Sequence, residues 1–220
     1  AHGEYGKLTV DPLGNYKYER DAGTPGGVSD VFTYTLKDGD DDTSPATLTI
    51  TIGDATPTVD VPGKGEAGTS VSEAGLPARG LEPEGSGEEA AAGANGDPSE
   101  ATKGTIAFTA GDGPAVVTIG GVVVDSAGDT VAGAHGTLVV TAIDGDSVDY
   151  AYTLKDNTSG EGTTDAFSVV ITDKDGDTSS GTLTIAIVDD APTAKDDTDS
   201  LGVGEYGPAT GNVITDAEGD

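Results

Sequence analysis

Cysteine, methionine and tryptophan are absent from this 220-residue chain. Without cysteine there is no disulfide, no thiol nucleophile and no thiolate metal site, so a stable extracellular fold would need some other cross-link. Basic residues are scarce too: 10 Lys+Arg stand against 40 Asp+Glu, for a formal net charge of -30. Such a charge argues against nucleic acid and anionic membranes as direct partners. No apolar run approaches the roughly 18–20 residues that span a bilayer, so direct membrane insertion is not expected. No signal peptide opens the chain, and its first residues read as the middle of a domain, as in a piece of a longer protein. Aromatics make up only 5%, which leaves a core of Val, Ile and Leu with a few Tyr and Phe. Chemistry-bearing motifs are missing as well. The two histidines, His2 and His135, share Ala-His-Gly contexts, and there is no GxSxG, HExxH or phosphate-binding loop. Paired carboxylates are so frequent that no single pair marks a glycosidase. The expectation is that the chain is not an enzyme.

What the chain has in excess is aspartate, 28 Asp against 12 Glu. Asp is poor inside strands and helices but good in turns and as an oxygen ligand, so the bias points to metal-binding loops. The run Thr172-Asp-Lys-Asp-Gly-Asp-Thr178 places Asp173, Asp175 and Asp177 two residues apart. Carboxylates crowded into a short turn repel one another unless a cation joins them, and calcium takes several oxygen ligands. The run begins like an EF-hand loop but departs from it: the twelfth position is Thr184, with no bidentate Glu, and the Gly falls two positions early.

An internal repeat gives this run its context. Residues 30–58 align without a gap on 165–193: Asp30 with Asp165, Phe32 with Phe167, Asp42 with Asp177, Leu48 with Leu183 and Pro57 with Pro192, each 135 apart. Upstream, Tyr16-Lys-Tyr18 corresponds to Tyr150-Ala-Tyr152, and Gly6-Lys-Leu8 resembles Gly136-Thr-Leu138. Within the unit the apolar residues alternate. Phe167, Val169 and Ile171 share one face, and Leu183, Ile185 and Ile187 share another. That is the pattern of antiparallel strands with one face buried, and short strands between Gly/Asp turns predict an all-β chain of tandem β-sandwich modules. Further strands are expected near 69–73, 105–109, 115–119, 121–125, 137–143 and 147–154. Pro57 and Pro192 follow the last strand of each unit, where loss of a ladder donor ends a strand. Residues 1–56 then read as the C-terminal part of one module, 57–191 as a complete module with a long flexible loop at about 77–103, and 192–220 as the N-terminal part of the next.

Three groups of acids are candidate calcium ligands. Asp173, Asp175 and Asp177 form one, and Asp38, Asp40 and Asp42 form its copy in the earlier repeat. The junction acids Asp189, Asp190, Asp196 and Asp197, with Asp54 at the earlier junction, could stiffen a joint between modules, and Glu73 could reach such an ion from the first strand. Asp144-Gly-Asp146 reads as a plain hairpin turn. The Gly-Glu-Tyr-Gly at 3–6 recurs at 204–207 in a different context and carries no weight here.

Taken as a set, the Tyr-x-Tyr strand, the strand ending in Asp-x-Asp-Gly-Asp-Thr, the Gly-Thr-Leu-Thr-Ile strand at 181–185 and the Asp-Asp-Ala-Pro-Thr run at 189–193 resemble the repeat (extender) modules of giant type I secreted RTX adhesins. They are similar to the long type I secretion target repeat and to VCBS-type, cadherin-like modules. The resemblance implies immunoglobulin-like sandwiches in series, export to the bacterial cell surface, Ca2+ at loops and linkers, and a spacer role in cell adhesion or biofilm formation. The partners it implies are neighbouring repeats of the same long chain. Other copies joining through incomplete end modules as a fibre, or a calcium-dependent glycan-binding module, are the alternative expectations.

Overall fold

Alternating apolar and polar residues become strands along the whole described part of the chain. In this computed structural model that part is residues 1–77, 96–160 and 162–190, with 201, 203, 204 and 206–208. The strands are β1 (Gly6–Val10), β2 (Tyr16–Arg20), β3 (Ser29–Lys37), β4 (Thr43–Thr51), β5 (Thr58–Asp60), β6 (Ser70–Ser72), β7 (Ala101–Thr109), β8 (Val116–Ile119), β9 (Val122–Val124), β10 (Thr130–Ala132), β11 (Gly136–Asp144), β12 (Ser147–Leu154), β13 (Thr164–Thr172) and β14 (Thr178–Val188). Among the described residues one 3-10 turn, Glu73–Gly75, follows β6. Ala1–Asp190 forms one compact unit and Ala191–Asp220 a second. Two three-residue strands, β5 and β10, lie outside the segments expected from the sequence. The expected loop at about 77–103 is shorter at its far end, since β7 already begins at Ala101. Residues 78–95 of that loop lie outside the described residues.

Residues 58–188 make a complete sandwich. One sheet has the order β10-β11-β12-β7-β5 and the other β6-β14-β13-β8-β9. All the pairings are antiparallel except that of β6 with β14, which is parallel over Ala186↔Ser70, Ile187↔Val71 and Val188↔Ser72. The inward positions of the two sheets meet in one core in which Ile106, Leu138, Tyr150, Val169, Ile171 and Ile185 are fully buried.

Residues 1–52 repeat the second half of that sandwich. The hairpin β1–β2 pairs Leu8↔Tyr18 and Val10↔Tyr16, as β11–β12 pairs Leu138↔Tyr152 and Val140↔Tyr150. The hairpin β3–β4 pairs Phe32↔Leu48, as β13–β14 pairs Phe167↔Leu183. Tyr18 meets Phe32 edge-on at 6.2 Å, and Tyr152 meets Phe167 at 6.1 Å.

A buried carboxylate ties the two layers together in each copy. Asp165 starts the inward face of β13, where every later inward residue is apolar. It accepts N–H bonds from Ala134 (2.9 Å), His135 (3.1 Å) and Gly136 (3.0 Å), and the Tyr152 hydroxyl donates to it at 2.6 Å. Asp30 does the same with the N–H groups of Glu4 (2.7 Å) and Tyr5 (3.2 Å) and the Tyr18 hydroxyl (2.8 Å). The loop runs so close that a side chain at Gly136 would collide with the Tyr152 hydroxyl. His135 thus occupies the place of Tyr5, and its backbone N–H does the work. The Gly3–Gly6 run is this cradle in the first copy. Burial pushes the Asp30 carboxyl up, but the hydrogen bonds from Tyr18, Glu4, Tyr5 and Gly6 outweigh it and hold the group below its ordinary value.

Removing Asp165 would strand three N–H groups and a hydroxyl in the interior, at about 1–3 kcal/mol for each group left without a partner. Asp165→Ala is therefore expected to lower the stability of the chain by at least about 3 kcal/mol in urea denaturation. Burial also pushes the Tyr150 phenol up to about 12. A raised phenol contributes stability that is fully present below about pH 10 and lost as pH rises through the folded value. The urea midpoint should fall between pH 10 and about 12, and Tyr150→Phe should remove part of that fall.

Candidate metal centres

The two β-hairpin turns that carry the acidic triplets are built the same way. The Asp38 N–H donates to the Asp42 carbonyl at 3.1 Å, and the Asp173 N–H to the Asp177 carbonyl at 3.0 Å. Oδ1 of the opening Asp accepts the closing N–H in each, from Asp42 at 2.9 Å and from Asp177 at 2.8 Å. It accepts a second one from Asp40 (3.2 Å) or Gly176 (3.2 Å). Asp opens such turns because its short carboxylate reaches backbone donors two to four residues on. At the fourth position Asp41 takes a left-handed conformation (φ 76°) where its counterpart is Gly176 (φ 101°).

The turns differ in what surrounds them. In the exposed first turn, carboxylate oxygens of Asp38, Asp40 and Asp42 lie within 4.8 Å of one another. In the second, the group within 4.8 Å is Asp54, Asp175 and Asp177, with Asp54 coming from the linker after β4. Asp173 is not a member. It is buried under the loop between β7 and β8, and its Oδ2 accepts the Asp112 N–H at 3.5 Å. Its role is to shape the turn. A third group within 4.8 Å joins the buried Glu73 to Asp189 and Asp190. The Glu73 Oε1 is fixed by the N–H and hydroxyl of Thr158, each at 2.6 Å. Asp196 and Asp197 lie outside the described residues.

Protonation follows this crowding. Hydrogen bonding with the Asp173 carboxylate, burial and the charges of Asp173 and Asp54 push the Asp175 carboxyl up. Burial and the charges of Asp54, Asp173 and Asp112 do the same to Asp177. Burial opposes ionisation of Asp173, but hydrogen bonds from Asp175, Asp112, Asp177 and Gly176 hold it below its ordinary value. The ligand set fits a hard divalent cation. Its donors are carboxylate oxygens alone, which suit calcium or magnesium, and two of them are held in an environment that resists their negative charge. A cation there would be bound by Asp54, Asp175 and Asp177 and would relieve that repulsion.

The same place is a joint made by the polypeptide itself. The nearly buried Asp112 carboxylate accepts the Ala55 N–H at 2.6 Å and the Arg20 guanidinium at 3.1 Å, while the Asp175 carboxylate accepts the Gly26 N–H at 2.9 Å. Gly26 passes so close to Asp112 that any side chain there would collide with its carboxylate. Gly26 and Asp112 lie outside the segments 30–58 and 165–193 that the repeat aligns. Arg20 stands where the complete module has the buried Leu154, and only that contrast of a charge with an apolar residue marks it.

With this geometry in view, the comparisons with known proteins give a class. A family described as a bacterial Ig domain matches residues 1–51, the first repeat copy. The chain is all-β and its modules are immunoglobulin-like β-sandwiches. A solved chain similar to this one is described as "Crystal structure of the Protocadherin GammaB4 extracellular domain". It is 12% identical with a TM-score of 0.32, and the match covers 84% of this chain and 25% of that one. The chain thus spans about a quarter of that protein's length. No curated protein matches. Among the described residues no helix is long and apolar enough to cross a membrane.

Arg20→Ala leaves the nearly buried Asp112 carboxylate without its cationic partner. It should lower stability in chelator by about 1–2 kcal/mol in urea denaturation and broaden the size distribution seen by small-angle scattering.

Proposed function

We propose that this chain is a calcium-stiffened extender segment of a bacterial surface adhesin of the RTX type, exported by type I secretion and carrying no chemistry of its own. The observation that supports it is the position of the Asp54, Asp175 and Asp177 carboxylates. They converge within 4.8 Å where the first repeat copy meets the complete module, one from the linker and two from a hairpin turn. An ion held there ties the linker to the turn and removes the freedom of the joint. Glu73, Asp189 and Asp190 offer the same arrangement at the far end of the complete module, and Asp38, Asp40 and Asp42 a weaker, exposed one. Neighbouring repeats of the long chain are the partners in this reading, and cell adhesion or biofilm formation is its purpose. Cation binding then does the work that disulfides do in other extracellular proteins.

Affinities of extracellular calcium modules lie around 0.1–1 mM. At a hundredfold excess over the dissociation constant an ion that binds only the folded state adds about 2.7 kcal/mol, or roughly 5–10 °C in melting temperature for a chain of this size. Thermal melts in 10 mM calcium, a ten- to hundredfold excess over that range, and in excess chelator should differ by roughly 3–10 °C. Asp175→Asn combined with Asp177→Asn should remove a substantial part of the difference. Melting temperatures that coincide with and without calcium would exclude the reading.

A further inference from the structure

The joint beside Asp54 has a cation of its own. Arg20 pairs with Gly6 on β1 as Leu154 pairs with Gly136 on β11, so the two residues hold equivalent places at the ends of β2 and β12. Leu154 is buried in the core of its module, whereas Arg20 reaches across to Asp112 of the complete module. Three hydrogen bonds fix its guanidinium. Nε donates to the Thr24 hydroxyl at 2.9 Å, and one terminal nitrogen donates to the Thr24 carbonyl at 2.6 Å and to the Asp112 carboxylate at 3.1 Å. Thr158 lies four residues after Leu154, as Thr24 lies four after Arg20, and it engages the Glu73 carboxylate instead. One loop therefore holds a positive charge and its counterpart a negative one. Among the described residues Arg20 is the one basic side chain paired with the acids of this joint.

We propose that Arg20 is a built-in counter-cation that keeps the first repeat copy and the complete module in one fixed relation without any metal, so that this joint opens only when both Arg20 and a bound cation are missing. Asp112 is the group that makes a counter-cation necessary. Its side chain is 7% exposed, and its carboxylate joins three stretches of chain: its own loop between β7 and β8, the linker through the Ala55 N–H, and the end of β2 through Arg20. The backbones also meet closely there, since a side chain at Gly111 would collide with the Ala55 carbonyl. Without Arg20 the closed joint holds a desolvated carboxylate beside the charges of Asp54 and Asp177, and opening into water relieves both the desolvation and the repulsion. With it the carboxylate is paired, and a guanidinium keeps its charge and its planar fork of donors across the physiological range. An ion at Asp54, Asp175 and Asp177 then adds stability to a joint already closed. The stiffness of this stretch does not track the calcium around it, unlike that of the far end of the module, where Glu73, Asp189 and Asp190 offer carboxylates alone. The role of Arg20 is independent of the calcium reading above; the second safeguard, by a bound ion, rests on it.

The chain has no cysteine, so two can be introduced in the full chain and labelled cleanly. Thr33→Cys with Ser168→Cys puts spin labels on exposed, equivalent positions of β3 and β13, and pulsed electron paramagnetic resonance then reads the distance between the two copies. With Arg20 in place, one narrow distance distribution is expected in chelator and in calcium alike. Arg20→Leu, the residue with which the complete module folds at this place, should lose the narrow distribution in chelator and regain it in calcium. Arg20→Gln, which keeps donors but no charge, should do the same, and Arg20→Lys should stay narrow in chelator. A second label pair within the first copy, Thr9→Cys with Thr33→Cys on β1 and β3, should stay narrow in every variant. The proposal is overturned by a broad distribution in chelator with Arg20 in place, or by narrow ones in chelator for both Arg20→Leu and Arg20→Gln. It is also overturned if the pair within the first copy broadens together with the pair across the joint, which would make Arg20 a residue of that copy's own fold. A distribution that stays broad for Arg20→Leu in calcium supports the role of Arg20 and overturns the second safeguard, and with it calcium binding at Asp54, Asp175 and Asp177.

Discussion

Two layers of strands have to be held in one register before any loop at their ends can be placed, and a single buried carboxylate per module does this. Asp165 lies on one sheet, and its donors come from the Gly133–Gly136 loop and from Tyr152 on the other. Hydrogen bonds to a charged group are stronger than neutral ones, and an interior of low polarity penalises any slip that breaks them. A one-residue shift of β13 would turn Asp165 outward and bury Ala166 in its place, so the apolar pattern and the carboxylate enforce the same register. With that register set, the hairpin turn at the end of β13 is carried to one definite place, beside the linker.

That placement explains why two turns of nearly the same sequence gather different acids. In both, the opening Asp is engaged by backbone donors. In the outer turn it is exposed, and all three carboxylates face one another. At the joint, the loop between β7 and β8 covers Asp173, and the linker delivers Asp54 into the vacated position. The joint is therefore assembled from four separate stretches of chain. Its negative charge is met in part by one cation of the protein, Arg20. The group of Glu73, Asp189 and Asp190 has no basic side chain paired with it among the described residues.

Much of this was legible in the order of residues. Alternation in 165–171 and 183–187 marks strands because burial on one face of a sheet imposes a period of two, and the 135-residue offset shows that the motif is a module. The grouping of Asp54 with the 175–177 acids was not legible, since it depends on where a linker returns to a turn some 120 residues away in sequence. The role of Asp165 is written in the sequence as well. It stands at an inward position of an otherwise apolar face, and an acid there must find donors. Asp112 gives no such signal, because it sits in a Gly-rich loop where charge is ordinary, and Arg20 is marked only by its contrast with the buried Leu154 of the complete module.

The parallel pairing of β6 with β14 has a mechanical consequence. These are strands near the two ends of the complete module, so a pull that enters before β6 and leaves after β14 draws them in opposite directions along their length. The hydrogen bonds of Ser70–Ser72 with Ala186–Val188 then carry the load together, in shear, instead of opening one after another as a zipper does. One of the shortest pairings of the sandwich thus lies where tension would be borne, and the buried Val71 and Ile187 side chains, packed into the core, must be dragged out before the clamp gives way.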